Sequence, residues 1–217
     1  MKTMLIAGCS SGIGEHLFNY YKKVYDGAVY GISRSKEIIC DCTDSVAVKR
    51  VISDIRPSIL INCVGQASMN LALLSSTAAY DRTVTNNMKS TFVLCREAGK
   101  EMLRNKWGRI VNFGSCAVSM EIEGESLYAA SKAAVVTFSR ILARELAPHI
   151  TVNTISCGPV NTRLIQSVDP DKVAKVIDKQ VIKRYTDFWD IHKLCDFLIS
   201  DNAEMITGQN IYINGAG

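Results

Sequence analysis

Across 217 residues, 47% are hydrophobic and 21% charged, which is ordinary for a globular chain and enough to build one full core in a single α/β domain. The net charge is +4 and no basic run is dense, so nucleic acid is not an expected partner. No apolar stretch approaches the roughly 18–20 residues that a membrane span needs.

The start of the chain reads as a buried strand over residues 3–7, running straight into a glycine-rich turn. It is too short in apolar residues for a signal peptide. Residues 12–23 read as a helix and 28–33 as a second strand. Residues 37–40 make a short third strand, 45–55 a helix and 59–63 a buried strand. A long helical pattern covers 77–105, followed by a strand at 109–113 and an Ala-rich helix at 126–146 that Pro148 stops. Residues 151–155 read as a strand, 172–182 and 187–199 as helices, and 210–213 as the last strand. Strands alternating with helices imply a Rossmann-type, doubly wound domain: a parallel seven-stranded sheet with helices on both faces and right-handed crossovers. One connection breaks the pattern. Only Arg34, Ser35 and Lys36 separate the second strand from the third, so the helix after strand 2 is missing. Either the third strand is rudimentary or one sheet edge has lost its cover.

The eight cysteines form no CxxC pair, and no histidine stands at ligand spacing to them. Most sit in apolar runs, where a thiol packs as a small hydrophobe. No metal is expected, and reduced thiols point to a cytoplasmic setting. His16, His149 and His192 are scattered and read as structural or surface residues.

Chemistry gathers at three places. Gly8-Cys9-Ser10-Ser11-Gly12-Ile13-Gly14 links the first strand to the first helix. There, glycines let the backbone turn tightly and approach a diphosphate, which free N–H groups at a helix start attract. Tyr128 and Lys132 are four apart in a helical pattern and share a face, so the cation is expected to favour tyrosinate and lower the tyrosine's pKa. Ser115 follows a strand, at the edge where open α/β sheets bind ligands, and its hydroxyl can donate to the same substrate oxygen.

With these motifs, the chain resembles the short-chain dehydrogenase/reductase family from Met4 onward. Asp41-Cys42-Thr43-Asp44 resembles that family's adenine-side segment, and Asn62-Cys63-Val64-Gly65 resembles its Asn-Asn-Ala-Gly element with two substitutions. Asn87 matches its helix asparagine, and Ser115, Tyr128 and Lys132 match its catalytic serine and YxxxK pair. Gly158-Pro159-Val160-Asn161-Thr162 matches its nicotinamide-side loop; Ile206-Thr207-Gly208-Gln209 and Asn214-Gly215 match its C-terminal pattern. Cys157 departs from the pattern by standing where the family usually has proline, which is expected to loosen that loop.

The resemblance implies a ketone/secondary-alcohol oxidoreductase with Tyr128 as acid/base, Lys132 also on the nicotinamide ribose and Asn87 in a water relay. It implies cofactor contacts at Gly8, Ser10, Ser11, Gly12, Ile13, Gly14, Asp41, Asn62, Gly65, Tyr128, Lys132, Gly158, Val160 and Thr162. It also implies a homodimer or homotetramer built on the helices at 77–105 and 126–146. NADP(H) is expected over NAD(H). No carboxylate follows the second strand until Glu37, whereas Arg34 can take a 2′-phosphate with Ser33 beside it. Candidate substrate contacts are Ser115, Gln66 and Ser126, with Cys116, Met120 and Val160 as further wall residues. Residues 163–186 read as a lid over the substrate.

Residues 151–162 and 206–217 look most like 3-oxoacyl carrier-protein reductases, which suggests an acyl-thioester substrate. The missing helix is instead similar to pteridine-type and keto-sugar reductases. A non-catalytic dinucleotide sensor is the reading from a different class, though such proteins usually lack the tyrosine or the lysine.

Overall fold

A computed structural model describes residues 2–67, 69–166 and 168–213; Asn214 and Gly215 of the C-terminal pattern lie outside the described residues. Seven parallel strands form one sheet in the order β3-β2-β1-β4-β5-β6-β7. They are β1 (Met4–Ala7), β2 (Val29–Ser33), β3 (Ile38–Ile39), β4 (Ile59–Asn62), β5 (Gly108–Phe113), β6 (Ile150–Ser156) and β7 (Asn210–Tyr212).

Alternation along the central strands explains the layers. Leu5 of β1, Leu60 of β4 and Ile110 of β5 face one core with α2 (Ser45–Ile55), α4 (Ser90–Arg104) and α6 (Ser126–Leu146). Their neighbours Ile6, Ile61 and Val111 face the other, with α1 (Gly12–Val24) and α9 (Phe188–Ile199). Successive side chains of a strand point to opposite faces, so strands apolar on both faces must be covered on both. Leu5, Ile6, Leu60 and Ile61 are fully buried, each contributing roughly 1.5–3 kcal/mol of transfer free energy. The strand order reverses between β1 and β4, which opens a crevice beyond their carboxyl ends.

The abrupt passage from β2 to β3 has a local cause. The Ser33 hydroxyl accepts from the N–H groups of Ser35 (3.2 Å) and Lys36 (2.8 Å) and donates to the Lys36 carbonyl (2.8 Å). Glu37 adopts φ 59°. The loop doubles back so tightly that β3 pairs at only two positions, Ile32 with Ile38 and Ser33 with Ile39. The third strand is therefore rudimentary, and no helix intervenes.

Two expected elements differ in detail. The pattern over 77–105 divides into α3 (Thr77–Val84), a π-helical turn (Thr85–Lys89) and α4. Hydroxyls bond back to carbonyls through this region: Thr83 to Ala79 (2.8 Å), Ser90 to Asn86 (2.6 Å) and Thr91 to Asn87 (2.7 Å). Such back-bonding bends helices, and apolar periodicity does not report it. The helix expected at 172–182 is α8 (Pro170–Asp178), started by the Asp169 carboxylate, which caps the Asp171 N–H, and by Pro170. Two short helices, α5 (Ala117–Met120) and α7 (Arg163–Gln166), are additions to the expected set. All eight cysteines are free thiols, and among the described residues no group of metal-binding side chains occurs and no helix is long and apolar enough to cross a membrane.

Candidate active site

The crevice is a cleft of about 1170 Å³, somewhat above the usual range for a small-molecule pocket. Its inner end is the turn from β1 to α1. Gly8 and Gly12 adopt φ 82° and 56°. A Cβ on Gly14 would stand 2.2 Å from the Gly8 carbonyl oxygen, so no larger residue fits this turn. The Ser11 side chain makes no capping bond to α1. Ser11, Gly12, Ile13 and Gly14 line the cleft, presenting the helix start and its uncapped N–H groups to it. This cradle fits the diphosphate of a nicotinamide dinucleotide.

The next wall is a clamp of amides. Asn62 donates to Thr91 Oγ1 and Asn112 Oδ1, both at 3.0 Å, and accepts from the Val64 N–H at 3.1 Å. Its side chain is thus spent on shaping the turn. Asn87, fully buried in the π turn, accepts from the Gln66 N–H (2.7 Å). It donates to the Gln66 carbonyl (2.9 Å) and to Ser131 Oγ (2.8 Å). A Cβ on Gly65 would meet Asn87 Oδ1 and Lys132 Nζ, each at 3.1 Å, so glycine there leaves room for both groups.

Ser115, Tyr128 and Lys132 meet at the floor of the cleft. Ser115 Oγ accepts from the Ala117 N–H at 3.1 Å and is hydrogen-bonded to the Tyr128 hydroxyl. Lys132 Nζ donates to the Phe113 carbonyl at 2.8 Å and lies 6.0 Å from the Tyr128 ring centre. Burial pushes the Tyr128 hydroxyl well above the ordinary tyrosine range. The Ser115 bond pulls it part of the way back, and the Glu125 carboxylate pushes it further up. Lys132 is not among the causes, and burial lowers its own pKa to about 8. The expectation that the lysine depresses the tyrosine pKa is therefore corrected. Nζ is held by a backbone carbonyl, and desolvation governs both groups. Tyr128 is a protonated hydroxyl at neutral pH, aimed at the cleft with a serine beside it, and can donate to a carbonyl oxygen.

Gly158, Val160 and Thr162 complete the rim opposite the glycine turn, and the Thr162 methyl would lie 3.4 Å from a Cβ on Gly12. Gln66 and Cys116 also line the cleft. Ser126, expected at the pocket, is exposed at the start of α6, and the preceding Glu125 lines the cleft instead. Met120 is likewise absent from the wall, while the expected lid contributes Lys172 and Lys175 of α8 and Lys179 at its C-cap. Sequence reasoning missed Glu125 and these lysines. Spacing of 172, 175 and 179 on one helix face was the available signal.

Toward the adenine end, Arg34 is exposed past β2, and its charge helps hold the Asp41 carboxyl below the ordinary range, after the backbone and hydroxyl bonds from Thr43. The Ser33 hydroxyl, committed to its own loop, faces inward. Lys36 pairs with Glu15 at 2.5 Å.

A parallel sheet with a reversal of strand order, a glycine-turn cradle and a Ser–Tyr–Lys floor define a dinucleotide-dependent oxidoreductase. The family profile described as Enoyl-(Acyl carrier protein) reductase matches residues 26–216. The chain is similar to the 3-oxoacyl-[acyl-carrier-protein] reductase FabG of Escherichia coli K12, 30% identical over 234 residues covering 99% of this chain and 96% of the relative. Among solved structures, 4-hydroxyisoleucine dehydrogenase complexed with NADH is 27% identical, with a TM-score of 0.87 over 99% of this chain and 97% of the other. A candidate NAD(P)-dependent gluconate 5-dehydrogenase from Beutenbergia cavernae, with NADP bound at low occupancy, is also 27% identical, with a TM-score of 0.89 over 99% and 95%. The chain belongs to the short-chain dehydrogenase/reductase family and is an NAD(P)-dependent oxidoreductase acting on CH–OH or C=O groups.

Proposed function

We propose that this chain reduces a ketone to a secondary alcohol with NADPH. The observation that carries this reading is the Tyr128 hydroxyl at the cleft floor, hydrogen-bonded to Ser115 and placed to share a substrate oxygen with it. The dinucleotide supplies the hydride when bound. Tyr128 gives its proton to the substrate oxygen while Ser115 Oγ stabilises the charge that develops there. Lys132 holds the nicotinamide ribose together with Tyr128, and Asn87, in its π turn, connects Lys132 to solvent.

Ser11, Gly12, Ile13 and Gly14 hold the diphosphate on a turn that Gly8 and Ser10 shape. Asn62 acts by fixing the turn that ends in Gly65, and Asp41 meets the adenine. Gly158, Val160 and Thr162 sit on the nicotinamide side. Arg34 reads the 2′-phosphate, with Ser33 acting through the shape of the loop rather than by direct contact. Similarity to the 3-oxoacyl-[acyl-carrier-protein] reductases makes a 3-oxoacyl thioester the first ketone to test, with keto sugars as comparators. The experiment that tests this reading follows label from the reduced cofactor to the carbonyl carbon: label in the alcohol supports it, and its absence from every product overturns it.

Assembly belongs to the same proposal. Tyr80 on α3, Phe92 and Leu103 on α4 and Ile141 on α6 are exposed by 40–52% on neighbouring helices, and such apolar surface calls for a partner. A homodimer or homotetramer burying this face is expected, and light scattering at micromolar concentration should give twice or four times the chain mass. A monomer would contradict it.

A further inference from the structure

Glu125 is a carboxylate in the cleft wall that belongs neither to the glycine-turn cradle nor to the Ser115, Tyr128, Lys132 floor. It stands at the N-cap of α6, one turn before Tyr128, and its side chain makes no capping bond. It lines the cleft beside Cys116 and Tyr128. It makes no side-chain hydrogen bond or ion pair with any described residue, although it is only half exposed. The loop that carries it is fixed. The Gly124 carbonyl accepts from the Asn70 N–H at 2.7 Å, and Gly124 adopts φ 84°, which favours glycine. A carboxylate partly withdrawn from water with no partner gains from an opposite charge, and a ligand in the cleft can supply it.

We infer that Glu125 binds a cationic amino group on the substrate, so the ketones this site takes are amino ketones. The inference rests on the ketone-reductase reading and narrows its substrate. It departs from a simple acyl thioester, which carries no cation.

The groups next to Glu125 leave its charge uncompensated, which favours an ammonium over a neutral hydroxyl at this point of the cleft. Burial alone raises the Glu125 carboxyl, and no cation of the chain contributes. The groups that face it are Tyr128 and Cys116, both of which its charge pushes up. Lys132 is turned away to the Phe113 carbonyl. Across the cleft, Arg163, Lys172, Lys175, Asp178 and Lys179 line the same space without entering the causes at Glu125. A substrate ammonium seated on Glu125 would neutralise the charge that opposes ionisation of Tyr128. Binding of the correct substrate and activation of the acid/base are thereby coupled.

The test compares aminoacetone with its neutral isostere butanone, in wild type and Glu125→Gln, with NADPH saturating. A charge-assisted bond predicts a wild-type kcat/KM ratio favouring aminoacetone by roughly one to two orders of magnitude. In Glu125→Gln the ratio should collapse toward one, and the upper limb of the pH profile with butanone should move to lower pH, because a charge that raises Tyr128 is gone. A purely structural role would lower both ketones together and leave the ratio and profile in place. Equal use of both ketones by wild type, or a ratio that survives Glu125→Gln, overturns the inference while leaving ketone reduction intact. A parallel titration of the NADPH-saturated protein with aminopropanol and butanol separates the two readings. Selective, Glu125-dependent binding of the amino alcohol without turnover of any ketone upholds the cation site and defeats the reductase reading. No selectivity in binding counts against the cation site.

Discussion

Replacing Tyr128 with phenylalanine should lower kcat for ketone reduction by roughly 10²–10⁴-fold, the usual contribution of a positioned acid/base group. Phenylalanine keeps the ring, so packing at the cleft floor and the fold of α6 are retained and the hydroxyl alone is tested. Dinucleotide affinity should fall far less than turnover, because the glycine turn, Lys132 and the rim at 158–162 stay in place. The solvent proton would then have to reach the substrate oxygen without a donor in line, with Ser115 left to stabilise the charge by itself. The measurement is kcat and dinucleotide Kd for both proteins. A variant that keeps more than about a tenth of the wild-type kcat is outside the range for a lost general acid and would show that Tyr128 is not the donor.

Arg34→Ala should remove most of the preference for NADPH. Arg34 is the loop cation left open for the proposed 2′-phosphate contact, since Lys36 is paired with Glu15 and the Ser33 hydroxyl is spent inside its loop. Asp41 lies close enough to feel the Arg34 charge, which offsets part of the attraction for a phosphate. A charge-assisted bond contributes roughly 1.5–3 kcal/mol, so NADPH affinity should fall by about one to two orders of magnitude while NADH is little changed. Comparing kcat/KM for the two dinucleotides in wild type and variant reads this directly. A wild type that prefers NADH, or a variant with the same preference, would return Arg34 to a solvated turn residue.

The sheet and its layers were legible because β1, β4 and β5 are apolar on both faces, a pattern that only a sheet covered twice can satisfy. The glycine turn and the Ser115, Tyr128, Lys132 set were legible for a related reason: each needs particular residue types at fixed spacing. What escaped depends on contacts between distant residues or on hydrogen bonds that periodicity does not encode. The π turn around Asn87 arises from hydroxyls bonding back along the helix. The pKa of Tyr128 is set first by burial, then by the bond from Ser115 that lowers it and by the Glu125 charge that raises it, none of which helical spacing to Lys132 reports. Ser126 and Glu125 are adjacent in sequence, and only the entry angle of α6 decides which of them faces the cleft.

The central claim, that NADPH delivers a hydride to a substrate carbonyl at this cleft, is tested most directly with NADPH deuterated at the transferring carbon. The protein is incubated with this cofactor and a panel of 3-oxoacyl thioesters, keto sugars and amino ketones, and the alcohols are analysed by mass spectrometry. The account predicts one deuterium on the carbinol carbon of at least one product, formed by wild type and nearly absent with Tyr128→Phe. Tight binding of the dinucleotide with no deuterium in any product would contradict it and favour a dinucleotide sensor.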